Sequence, residues 1–294
     1  MQATAFVNMQ RSLRLASLAV LSLALSVGTG DAVAARIGVL SNNHADVVAT
    51  DFAAHIPGHT FTAVDVSAGP PPLATLVASY DEILLFEDGL FQSAPDVGDG
   101  VYQFALTGRP VVVATFYDQD RSDRAGLVLG PPHGWGQLET IDPNTTDSLG
   151  AATTARTLDP ASIVAHPLTA NVTSLFGNKG FAGGNQAKPD TVVVARWLQP
   201  NANGQPDPAI AYRLTSLTCV MQVAIAPDYS VYGTFGIDYG GDFYQVWKNA
   251  FDFGSGNCGR GWQVPTLAPG ALALVAALVA APAVFARRRR AARP

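Results

Sequence analysis

Three short runs constrain this chain more than anything else in it: RIGVL (Arg36–Leu40), ILLF (Ile83–Phe86) and VVVATF (Val111–Phe116). The last two are apolar on both of the faces that a strand alternates between. Such runs suit strands buried on both sides, as in parallel sheets covered by helices on each face. The segments between them carry helical spacing. Val47, Val48, Phe52 and Ile56 recur at the interval of one helix face, and Pro57-Gly58 stops the pattern. Leu73 to Tyr80 reads as a second short helix, following the breaker AGPPP, and Asp96 to Gly108 as a third. His59 to Ser67 alternates as a strand. Thr62, Val64 and Val66 share one face, and Phe61, Ala63 and Asp65 the other. Asp65 leaves that second face only partly apolar, which puts the strand at an edge. Strand and helix thus alternate four times, and the expected fold is a single α/β domain with a mostly parallel sheet flanked by helices.

The rest of the body is less regular. Tyr117 to Ala165 is rich in Gly, Pro and polar residues and reads as a long loop or an excursion off the sheet. Thr191–Leu198 and Ala209–Leu214 read as strands around a turn-rich segment. CVMQVAIAP and YSVYGTFGID continue in the same style, which suggests antiparallel hairpins at one edge. Asp242 to Phe253 is an amphipathic helix. Its aromatics Phe243, Tyr244, Trp247, Phe251 and Phe253 are mostly at helical spacing, and read as core.

The two ends differ sharply from this body. Arg11 and Arg14 precede an apolar run, Leu15 to Val27, and then Ala32-Val33-Ala34. That is the three-part layout of a secretory signal peptide, the alternative being a membrane anchor. At the other end, Val264 to Ala286 is uncharged and is followed by Arg287, Arg288, Arg289 and Arg290. An apolar helix of about 20 residues spans a bilayer's hydrocarbon core, and arginines stay on the cytoplasmic side. The body Arg36–Gln263 holds 11 Lys and Arg against 22 Asp and Glu, while the tail alone is +5. So acidic a body repels phosphate backbones and excludes nucleic acid as a partner. The expected layout is a signal peptide (1–34), an extracytoplasmic α/β domain (35–255), a linker (256–263) and a transmembrane tail (264–294). The expected location is across the inner membrane, held by the C-terminal helix or released after processing. In that oxidising setting Cys219 and Cys258 are expected to form a disulfide, two free thiols being the alternative.

The tail resembles the IPTL-CTERM type of C-terminal sorting signal, a relative of PEP-CTERM signals of Gram-negative bacteria. The match rests on Val264-Pro265-Thr266-Leu267, the span Ala268 to Ala286 and the arginines Arg287 to Arg290. Valine stands where the family has isoleucine, and Ala268-Pro269-Gly270 where it has Ser-Glu-Trp. The resemblance implies the inner membrane, signal peptidase and an exosortase-type sorting protease as partners. The body resembles the class I glutamine-amidotransferase-like fold, including its ThuA-like branch. Three features carry this: the strand–helix order of Arg36–Phe116, the segment His166-Pro167-Leu168-Thr169, and a closing strand and helix bearing Asn249-Ala250. In such enzymes a G-[KR]-P-V strand leads to a nucleophilic cysteine in a tight turn. Here Gly108-Arg109-Pro110-Val111 is present, but Thr115 falls at the cysteine position and Tyr117 at the turn glycine. A threonine lacks the thiolate chemistry of cysteine, so the resemblance implies no catalytic residue.

In open parallel sheets, ligands bind beyond the carboxyl ends of the strands. That rule selects Asn42, Asn43 and His44, then Glu87 and Asp88, then Tyr117, Asp118 and Asp120 as a possible ligand rim. The alternative is that they are solvated loop residues and helix caps. Asp118, Asp120 and Asp123 lack the glycine and terminal glutamate of an EF-hand, and no metal or cofactor is read. The leading expectation is a non-catalytic envelope protein with a binding or structural role. The rival is an envelope polysaccharide hydrolase using His44, Glu87 and Asp118. With threonine at position 115, the purified protein incubated with glutamine is expected to release no ammonia above the buffer control. Enzymatic release would restore the amidotransferase reading.

Overall fold

The apolar runs lie side by side in the middle of a seven-stranded sheet. In the computed structural model the described residues are 34–86, 91–114, 134–143, 155–177, 184–200, 206–230 and 239–257. All fall in one compact unit that begins at Ala34. The first half alternates β1 (Arg36–Ser41), α1 (Ala45–His55), β2 (Thr60–Asp65), α2 (Leu73–Ser79), β3 (Glu82–Leu85), α3 (Ala94–Ala105) and β4 (Val111–Ala114). The second half supplies β9 (Val192–Pro200), β10 (Pro206–Leu214), β11 (Cys219–Val223) and the final helix α5 (Phe243–Asn257). The order across the sheet is β2-β1-β3-β4-β11-β10-β9. The five strands from β2 to β11 run parallel. Numbered along the chain, they follow the 2-1-3-4-5 order of doubly wound sheets. β10 and β9 continue antiparallel at the far edge.

Alternation along these strands feeds two cores. Ile37, Val39, Leu84, Val112, Ala114 and Met221 pack with Phe52 of α1 and Trp247 and Phe251 of α5. Leu40, Ile83, Leu85, Val111 and Val113 face the other way, onto Leu76 of α2 and Val97, Val101 and Phe104 of α3. All these side chains are fully buried. Each buried Val, Leu, Ile or Phe contributes about 1.5–3 kcal/mol relative to exposure, so the middle strands need helices on both faces. β2, with Asp65, is indeed an edge strand, and its residues are exposed or half-buried.

On the second face, a four-residue helix α4 (Trp135–Leu138) seals α3. The Trp135 indole nitrogen donates to Ala94 O at 2.7 Å, and the Gly134 amide donates to Asp99 Oδ1 at 2.7 Å. The indole lies against Gly98, where a Cβ would sit 2.4 Å from Trp135 Cδ1. Glycine in a helix interior costs about 1 kcal/mol against alanine, and here it is what lets the tryptophan approach.

Three sequence readings are refined. First, of the two readings of Tyr117–Ala165, a long loop or an excursion off the sheet, the described parts match the excursion. They hold α4, β5 (Ile141–Pro143), β6 (Arg156–Thr157) and a 3-10 turn, Pro160–Ser162. β5 pairs with β8 (Gly184–Ala187), and β6 joins β7 (Leu175–Gly177) and β12 (Tyr239–Gly241) in a separate three-stranded sheet. Strands of two to four residues are too short to show periodicity. Second, the run from Cys219 does form an antiparallel hairpin strand with β10, as expected, but its other side pairs parallel with β4, so β11 is wholly buried between the two. Third, most of the strand expected in Tyr229–Asp238 lies outside the described residues; the described strand before α5, β12, belongs to the small sheet. α5 also runs past Phe253 to Asn257. Arg156 of β6 and Asp207 of β10 form a buried ion pair at 3.0 Å that ties the two sheets together.

Gly98→Ala is expected to lower stability by about 1–2 kcal/mol, because overpacking against an anchored indole outweighs the gain in helix propensity. Urea unfolding followed by tryptophan fluorescence measures it.

Candidate functional site

Beyond the carboxyl end of β1 the chain turns through Asn42 and Asn43 into α1. Ser41, buried, accepts the Asn43 amide on Oγ at 3.3 Å, and the Asn43 side-chain oxygen accepts the His44 amide at 3.1 Å. Local side-chain bonds of this kind hold tight turns. His44 then adopts φ 56°, ψ 12° and caps α1, accepting the Val48 amide on its carbonyl at 3.0 Å. Histidine is among the few side chains enriched in this left-handed region. The turn sets the imidazole beside the short 3-10 turn Pro227–Ser230 that follows β11. His44 Nδ1 lies 3.5 Å from Asp228 Oδ2. Asp228 is fully buried, while the His44 side chain is 28% exposed. A buried carboxylate behind a partly open imidazole helps fix the orientation of the ring. Such an imidazole can hold a polar ligand or exchange a proton with one.

Of the residues expected at the rim, Asn42, Asn43 and His44 lie among the described residues. Asn42 is half-buried and Asn43 exposed beside His44. Glu87, Asp88, Tyr117, Asp118, Asp120 and the elbow position Thr115 lie outside the described residues. Asp228 was not singled out from the sequence. Its signal was there, since it follows directly on an apolar run, but that run was read as an edge hairpin. Only its parallel placement beside β4 brings Asp228 to the same rim as His44. Among the described residues no three His, Cys, Asp or Glu side chains are grouped to hold a metal ion.

His166-Pro167-Leu168-Thr169 and Asn249-Ala250, far apart in sequence, meet in space. The first forms a 3-10 turn in which His166 Nδ1 accepts the Leu168 amide at 3.2 Å. Thr169 Oγ1 donates to Val164 O at 2.5 Å. From α5, Asn249 Nδ2 donates to Leu168 O at 3.3 Å and Ala170 O at 2.7 Å, and its Oδ1 accepts from Gln245 Nε2 at 2.8 Å. Asn249 is 5% exposed, so its amide fastens the turn to the helix rather than meeting solvent. Cys219 is buried at the start of β11 and is disulfide-bonded; Cys258 lies outside the described residues. No described helix is long and apolar enough to cross a membrane, and the leader and residues 264–294 are not among the described residues.

No family model matches the chain, and no curated protein is found as a relative. Two of the similar solved structures are as follows. One is a cytoplasmic protein of Salmonella typhimurium, 10% identical, with a TM-score of 0.48 over 74% of this chain and 98% of that one. The other is Agd3, described as a novel carbohydrate deacetylase, 14% identical, with a TM-score of 0.42 over 75% of this chain and 32% of that one. The similarity thus spans about a third of the deacetylase. Neither likeness assigns an activity.

Asn249→Ala leaves two carbonyls of the Pro167–Thr169 turn without their donor. It is expected to cost about 1–3 kcal/mol in denaturant unfolding, with hydrogen exchange accelerated around residues 164–172.

Proposed function

We propose that this chain is an exported envelope protein whose α/β unit, residues 35–255, binds a polar ligand at the carboxyl ends of its parallel strands and does no chemistry on it. One observation carries the binding reading: the His44 imidazole, backed by the buried Asp228 carboxylate, sits where doubly wound sheets take their ligands. The excess of acidic residues in the body argues against a polyanion and for a neutral polar ligand such as a glycan. An amidotransferase-like, ThuA-like arrangement is supported by the strand order and by the contact between Asn249 and the Pro167–Thr169 turn. Thr115, directly after β4, is the reason to read the domain as non-catalytic.

The location rests on the two ends of the sequence. Signal peptidase would cut after Ala34. The tail would stop in the inner membrane with Arg287–Arg290 inside. An exosortase-type protease acting near Val264–Leu267 would release the body to the surface. Outside the cytoplasm, Cys258 is the natural disulfide partner of Cys219.

A second reading is a hydrolase of envelope polysaccharide. It is favoured by the same pair, because an imidazole oriented by a carboxylate is what a general base needs.

Calorimetric titration of the full-length protein in detergent with neutral envelope oligosaccharides tests both. Binding is expected, weakened at least tenfold by His44→Ala and by Asp228→Asn. Unchanged affinity in both variants, or no binding to any glycan tried, removes the rim as the site. Steady release of reducing ends, lost in His44→Ala, favours the hydrolase. Mass spectrometry of protein from cell fractions should find a mature N-terminus at Ala35. A C-terminus near Gln263 indicates processing, and an intact Pro294 in the membrane fraction an anchor.

A further inference from the structure

At the opposite end of the sheet from the rim, β3 begins with a glutamate in a place built for an apolar residue. Glu82 pairs in register with Ile37 of β1. By strand alternation it shares the face of Leu84 and Phe86, which pack in the core beneath α5. Glu82 is fully buried, and neither carboxyl oxygen has a hydrogen-bond partner among the described residues. Directly over it lies Gly254 of α5, where a Cβ would stand 2.2 Å from Glu82 Oε1. A side chain at position 254 would force either the carboxyl or the helix to shift. The last turn of α5, Phe253-Gly-Ser-Gly-Asn257, carries two glycines, and a glycine in a helix interior weakens it.

The charged groups near Glu82 do not neutralise it. On α5, Asp252 Oδ2 is bonded to Lys248 Nζ, and Asp252 Oδ1 lies 3.0 Å from His59 Nε2. His59 stands in the turn before β2 and accepts the Ala35 amide on Nδ1 at 3.3 Å. Its other nitrogen is thereby left to donate to Asp252. Arg36 of β1 faces the opposite side of the sheet, where it binds Asp81 and Ala78 O. Arg109, before β4, likewise binds Tyr80 O and Val77 O beside α2. The charge that acts on Glu82 is the like charge of Asp252.

We propose that the last turn of α5 is a proton-operated latch: it closes over Glu82 while that carboxyl is neutral and lifts when the proton leaves to solvent. An isolated carboxylate cannot stay in an apolar site without a partner, and the glycine turn is the weakest cover over it. The direction follows from linkage. Burial, and then the Asp252 charge, hold the carboxyl well above the usual glutamate value of 4.5. Stability from the closed latch is therefore complete below that value and is lost as pH rises toward the folded-state one.

The test is hydrogen exchange with mass spectrometry on the full-length protein in detergent micelles, between about pH 5 and pH 8. After correction for intrinsic exchange, protection of the Phe253–Ser255 amides should fall about tenfold per pH unit, the slope of a one-proton opening. In Glu82→Gln the protection should be independent of pH. Should Glu82→Gln fail to fold, Glu82→Met, uncharged and of similar length, should give the same flat profile. A flat profile in the wild type overturns the proposal. A slope that survives in both variants overturns it too, and assigns the titration to the His59–Asp252 pair.

Discussion

The pairing of β11 with β4 is the contact on which the rest of this structure depends. It joins Val111–Ala114 to Val220–Val223, strands more than a hundred residues apart, in parallel register. With it the sheet becomes continuous from β2 to β9. It covers the second edge of β4, carries the antiparallel hairpin of β9 and β10 into the same sheet, and sets α5 over β3, β4 and β11. The Pro227–Ser230 turn that follows β11 reaches the end of β1 for the same reason. The His44–Asp228 pair is thus a product of the strand order, not of local sequence.

What could be read from the sequence, and what could not, divides along that line. β1, β3, β4, α1 and α3 announce themselves because each has its own period and its own stop signals. The edge position of β2 was readable from one residue, Asp65, on an otherwise apolar face. β11 was visible as a hairpin strand, but its apolar run does not say that its other edge lies parallel to β4. Its neighbours are set by which strands still lack cover, and that is a property of the whole sheet. The small strands β5 to β8 and β12 escaped for a different reason. They are two to four residues long, and their pairing is held by fixed points such as the Arg156–Asp207 ion pair.

The rim follows the same division. His44 came from a general rule about strand ends, and its left-handed backbone explains why a polar residue able to adopt that conformation stands there. Asp228 required knowing where β11 goes. The Pro167–Thr169 turn and Asn249 were singled out as two separate resemblances, and they are one structural unit. The fully buried Asn249 side chain is bonded to the turn's carbonyls, so both segments are explained by a single fastening between the last helix and the chain that precedes the small sheet.

The central position of β11 also bears on how such a chain matures. Synthesis delivers β1 to β4 first, and these four strands can pair among themselves. The open edge of β4 has no partner until Cys219–Val223 has emerged, after about three-quarters of the chain. Until then the buried-type strands β1, β3 and β4 have only α1, α2 and α3 to cover them, and the part of the face that α5 will occupy is bare. Long-range parallel pairings of this kind close slowly, and an exposed apolar edge invites association in the meantime. A nascent chain of this design stays unfinished for most of its synthesis. That lag favours handling by chaperones before the fold locks.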